Sequence, residues 1–192
     1  MRTLSPLVLL TLIMLGTSCT EPAPPPVVPA EPSHENLVER GRYLVEIMGC
    51  HDCHSPKMMT PQGPVPDPKR LLSGHPAGEQ LPPVNADATQ GWVLFSMGQT
   101  ATVGPWGTSF SGNITSDETG IGNWTEAQFK RALTQGSYKG LEGSRPLLPP
   151  MPWQNFKNMS NADVHALYTY LQSTPPVENV VHPPVPPAGA VH

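Results

Sequence analysis

Positive charge is scarce in this chain of 192 residues. Eleven Lys and Arg stand against 15 Asp and Glu, a formal net charge of -4. That balance argues against nucleic acid as a partner and toward a partner face of basic character. Cysteine is scarce too, with three in all. Two of them form one close pair, and no second Cys/His pair completes the four ligands that structural zinc takes. No apolar run reaches the ~20 residues needed to cross a bilayer as a helix. Internal repeats, alternating strand patterns, a phosphate loop, a Ser/His/Asp constellation and paired carboxylates are missing as well. The polypeptide therefore offers no catalyst of its own and does not read as an enzyme.

Proline is abundant, with 26 residues, far above ordinary usage. The longest apolar run, Leu7 to Leu15 behind Arg2, has the length of a signal-peptide core, so residues 1–18 are expected to be an export signal. After it comes Gly16-Thr17-Ser18-Cys19, which reads as a lipoprotein site whose Cys19 is acylated and anchors the chain to a bacterial membrane, facing the periplasm or the outside. Acylation would also remove the odd thiol from an oxidising compartment. Residues 19–33 are Pro-rich and read as an extended tether of about 40 Å. The folded domain is expected over 34–175, and the Pro-rich stretch 176–192 as a flexible tail.

Three helices are expected in that domain. The first starts after Ser33, with Leu37, Gly41, Leu44 and Met48 on one face, and runs up to Cys50. A glycine on an apolar face marks the close approach of another helix. Thr125 with Gln128 opens the second, stopped by Gly136, and Ser160 with Asp163 opens the third, which ends before Pro175-Pro176. Residues 56–122 read as ordered loop, and so long an irregular stretch calls for something large and apolar to pack against.

At the end of the first helix stands Gly49-Cys50-His51-Asp52-Cys53-His54. Zinc lacks its second ligand pair, and a thioredoxin-like dithiol lacks its βαβ context. In Cys-x-x-Cys-His the two thiols can add to the vinyl groups of haem while the histidine binds the iron. Cys50 and Cys53 then carry thioethers to one covalent haem c, and His54 is an axial ligand. A proline carbonyl of the following loop, such as that of Pro64, is expected to orient the His54 ring. Trp106, Trp124 and Trp153 read as pocket residues. For the sixth position Met151, in the stiff Pro-rich stretch Leu147–Phe156, and Met97 are the candidates, and His75 reads as a solvated turn residue.

From about Leu37 to Thr174 the chain resembles a class I c-type cytochrome. More narrowly, "GNITSDETGIGNWTEAQFKRAL" and "LLPPMPWQNFKNMSNADVHALYTYLQSTPP" resemble the cytochrome subunits of bacterial membrane-linked alcohol and sugar-acid dehydrogenases. The resemblance implies a mostly α, cytochrome c-like helical domain around a covalent haem, with long ordered loops, whose terminal helices cross at Gly41 and Tyr168 or its neighbour. It assigns the sixth ligand to Met151. Electron transfer follows as the expected function. Its expected partners are a donor dehydrogenase or quinol-oxidising complex and an acceptor oxidase or reductase. The alternative is a haem-based sensor or small-molecule binder with an open or labile sixth site.

Overall fold

Ser33 opens the first helix, its hydroxyl accepting from the Asn36 N–H at 3.2 Å, which satisfies a donor the helix itself leaves orphaned. In this computed structural model, which describes residues 31–187, α1 spans His34–Ile47. Left-handed Gly49 then turns the chain into a single short helix, α2 (Cys50–His54). Thr125 caps α3 (Glu126–Gln135), and Gly136 ends it. Ser160 accepts from the Asp163 N–H at 3.1 Å and opens α4 (Asn161–Ser173). Contacts divide the chain into Met1–Glu31 and Pro32–His192, and these elements all belong to the second. The expected signal 1–18, the anchor Cys19 and nearly all of the expected tether 19–33 lie outside the described residues.

α1 and α4 cross at Gly41. A Cβ there would overlap the Ala166 carbonyl and lie 2.5 Å from the Tyr170 Cβ, so glycine is what allows the two backbones to meet. The partner at the crossing is thus Tyr170 with Ala166. Tyr168 instead donates its hydroxyl to the Trp124 carbonyl at 2.6 Å and sets its ring 5.7 Å from that of Phe129. Leu44 and Val45 of α1, Phe129 and Leu133 of α3, and Val164, Leu167 and Leu171 of α4 form the buried core with Leu72 and Ile121.

The mostly α expectation is overturned. Of the described residues helix makes up 33% and strand 14%, and their four helices are short, so this is not a mostly helical cytochrome c fold. The stretch 56–122, expected as loop, contains two antiparallel sheets. β1 (Lys57–Thr60) and β2 (Gly63–Pro66) form a hairpin. β3 (Leu94–Phe95), β4 (Ala101–Gly104) and β5 (Gly107–Phe110) form a three-stranded meander. The alternating apolar signal is missing because small and polar residues fill the inward places of the meander. Ala101, Thr102, Gly104, Gly107 and Ser109 are the buried positions of β4 and β5, and Ser109 donates its hydroxyl to the Pro149 carbonyl at 2.6 Å.

The stretch expected as a flexible tail from 176 onward lies against this domain as far as it is described. Val185 exchanges both backbone hydrogen bonds with Thr108 of β5, at 2.7 and 2.9 Å. Its composition reads as unfolded because prolines cannot build a ladder. A few anchored donors and acceptors, with φ already fixed at each proline, are enough to seat it.

Candidate functional site

Cys50, Cys53 and His54 share the one turn of α2. Both cysteines are unpaired and half-buried. Burial is the largest influence on each thiol, with Asp52 acting in the same direction. It pushes Cys50 up to about 11 and raises Cys53. Neutral thiols are a poor basis for thiolate metal binding or for a reactive dithiol. Among the described residues no group of three His, Cys, Asp or Glu side chains stands where it could hold a metal ion.

The His54 ring nitrogen Nδ1 lies 2.8 Å from the Gly112 carbonyl oxygen. A carbonyl only accepts, so Nδ1 carries the proton and Nε2 keeps its lone pair. Burial lowers the pKa of this imidazole, against an opposing pull from the Gly112 carbonyl, and the ring is neutral as an iron ligand must be. The orienting carbonyl is that of Gly112. The expectation of a proline carbonyl from the following loop is thus not met, and Pro64, one such proline, lies in β2 of the hairpin. The backbone carbonyl of His54 accepts from the Gly74 N–H at 2.7 Å. Lys57 closes the carbonyl end of the turn, its ammonium 2.9, 2.9 and 2.6 Å from the carbonyls of His51, Asp52 and Ser55.

Met151 is half-buried and packs on the same core as Cys50. Its loop is held by the Ser109 hydroxyl on the Pro149 carbonyl, by the Leu147 N–H on the Gly136 carbonyl, and by the Trp153 ring lying where Gly136 leaves room for it. Met97 is 77% exposed and lines a small pocket with Lys57, Met59 and Arg70, away from that core. His75 is fully buried, with Nδ1 2.9 Å from the Thr100 hydroxyl and Nε2 without a partner, so it is no solvated turn residue. Trp106 spends its indole N–H on Ser109 at 3.3 Å, while Trp124 packs on the core. Cys19 lies outside the described residues.

These residues fit a covalent haem. Two unpaired thiols and an imidazole with a free Nε2 stand on one turn. The core beside them presents Met48, Ile114, Trp124, Met151, Phe156 and Met159 only partly buried, an apolar rim open to a flat apolar group. Nothing in the side-chain sequence marks Gly112, which contributes only a carbonyl, or Asn179, whose amide is fixed within the Pro-rich stretch at the C-terminal end.

No family model matches the chain. It is 28% identical over 173 residues, 90% of its length, to the fructose dehydrogenase cytochrome subunit of Gluconobacter japonicus. It is 31% identical over 139 residues, 72% of its length, to the gluconate 2-dehydrogenase cytochrome c subunit of Pantoea cypripedii. To the cytochrome c subunit of the quinone alcohol dehydrogenase of Gluconobacter oxydans it is 29% identical over 142 residues, 73% of its length. The homologues of this chain are thus cytochrome c subunits of dehydrogenases, related at modest identity over most of its length. The chain covers 28%, 23% and 22% of these three relatives, less than a third of each.

Proposed function

We propose that the chain is an electron-transfer protein that holds one haem c through thioethers at Cys50 and Cys53, with His54 and Met151 on the two faces of the iron. The observation that carries the reading is the His54 ring. Its Nδ1 proton is given to the Gly112 carbonyl at 2.8 Å, which leaves Nε2 its lone pair on the turn that also bears both thiols. When bound, haem supplies a reversible one-electron couple between ferric and ferrous iron. Cys50 and Cys53 on the turn of α2 would hold the haem, the Gly112 carbonyl keeps the His54 imidazole in one tautomer, and Met151 would offer its thioether to the iron.

The names of the relatives support a dehydrogenase as electron donor; the acceptor we propose is an oxidase or reductase. The protein itself carries electrons and is not the catalyst. We place it outside the cytoplasmic membrane, exported by the segment 1–18 and anchored through Cys19; the apolar run Leu7 to Leu15 supports this. Among the described residues no helix is long and apolar enough to cross a membrane.

The test is the visible spectrum of the full chain made in a host that matures c-type haem. Haem that stays on the polypeptide through acid–acetone extraction, and a reduced spectrum unmoved by carbon monoxide, are the expected results. Extractable haem would remove the thioethers. Ready carbon monoxide binding would remove the closed sixth position and move the reading to a haem-based sensor or binder.

A further inference from the structure

Two irregular segments run side by side beneath His54. Ile114 donates its N–H to the Leu72 carbonyl at 2.9 Å, and His75 donates to the Ser111 carbonyl at 2.9 Å. Between these rungs Gly74, at φ +78°, lies directly on the other segment, and a Cβ on it would come within 2.5 Å of the Gly112 carbonyl carbon and of the Ser111 oxygen. His54 grips both segments at once. Its backbone carbonyl takes the Gly74 N–H and its ring takes the Gly112 carbonyl. The strength of that ring bond depends on how firmly 72–77 is held against 111–114.

Neither segment is part of a helix or a sheet, and the described C-terminal stretch ties them together. The Asn179 side-chain amide donates to the carbonyls of Ser73 at 2.7 Å and His75 at 2.8 Å, while its carbonyl oxygen accepts from the Ala77 N–H at 2.9 Å. Its backbone N–H goes to the Thr119 hydroxyl at 2.9 Å. On the other segment Asn113, next to Gly112, donates its amide to the Val177 carbonyl at 2.8 Å and to the same Thr119 hydroxyl at 3.1 Å. One asparagine thus binds three backbone groups of the first segment, at the alternate residues 73, 75 and 77, and its neighbour two residues back binds the second.

The geometry points to Asn179 as a positioning residue for His54: residues 177–179 are a strap that sets the imidazole hydrogen bond to Gly112 and so tunes the iron ligand. The inference rests on the haem reading above for its consequence and on the described contacts for its geometry. A firm Nδ1–H to carbonyl bond makes the imidazole a stronger donor and favours ferric iron. Loosening the strap weakens that bond and raises the midpoint potential.

The experiment compares haem-loaded full chain with Asn179→Ala and with Val185→Pro. The second loses the Val185 N–H that bonds Thr108 and loosens the far end of the C-terminal stretch while leaving the contacts of Val177 and Asn179 in place. Expected are a higher potential and shifted paramagnetic resonances of the His54 ring in Asn179→Ala, with parental values in Val185→Pro at comparable loss of thermal stability. A variant Asn179→Ala that loses stability but keeps the parental potential and ring resonances overturns the proposal, because the strap is then only structural. Should Asn179→Ala not fold, Asn179→Asp carries the same comparison, keeping the shape and the acceptor for Ala77 while losing both donations. If the parent takes up no covalent haem, the functional reading fails by itself. The strap is then read from the nitrogen shifts of the His54 imidazole: a single Nδ1–H tautomer in the parent that becomes mixed in Asn179→Ala supports it, and an unchanged tautomer overturns it.

Discussion

Lys57 shows how a residue outside the ligand set shapes the site. Its side chain lies over the end of α2, where three carbonyls point outward with the negative end of a helix dipole, and an ammonium is the group that fits there. Lys57→Met keeps the stem and removes three charge-assisted hydrogen bonds. Because the group is only half-buried, the expected loss is about 2 kcal/mol rather than the sum of three such bonds. Equilibrium urea unfolding reads it, and an unmoved midpoint would mean that water serves those carbonyls equally well. Met151 sets the other residue-scale expectation. A thioether ligand stabilises ferrous iron, so Met151→Ala lowers the midpoint potential and admits carbon monoxide, while Met97→Ala changes neither. Parental values of both in Met151→Ala would take Met151 off the iron.

Among the elements, the helices are legible where caps and period agree. Ser33, Thr125 and Ser160 each accept from the expected backbone N–H, and Gly136 ends α3 in the left-handed conformation. Gly41 marks the crossing, since a helix-weakening residue on a buried face has no other use there. Gly41→Ala puts a methyl against the Ala166 carbonyl and is expected to cost about 1–3 kcal/mol through overpacking, read as a lower thermal midpoint. The nearby Arg40–Asp163 ion pair, 2.9 Å long but exposed, contributes at most about 1 kcal/mol, so Arg40→Ala gives the small-effect comparison. A Gly41→Ala variant no less stable than Arg40→Ala would mean that the helices shift apart freely. The strands were not legible because their buried places hold Thr, Ser, Ala and Gly, which carry no apolar period. The site reads in the same divided way. Cys50, Cys53 and His54 announce themselves by spacing, whereas Gly112 acts through a carbonyl that every residue type possesses.

At the scale of the whole molecule, the irregular segments are joined through buried polar groups more than through apolar surface. His75 sits where several meet. It is fully buried between Thr100 and the Phe110 ring, 4.8 Å away, its N–H is on Ser111 and its carbonyl is on Asn179. Burial lowers the pKa of its imidazole below the ordinary 6.5; Glu79 pulls upward and His182 adds to the lowering. The unfolded chain then binds a proton that the folded one refuses, and stability rises with pH across that interval. The contribution is complete above about 6.5 and is lost as pH falls from there through the lower folded value. His75→Asn removes the titration while keeping a side chain able to bond Thr100. Urea unfolding at pH 7.5 and at pH 5.5 should show a smaller loss of stability on acidification in His75→Asn than in the parent. Equal losses would mean that His75 gains its proton without opening the fold, and the junction of loops around it would then be looser than its burial implies.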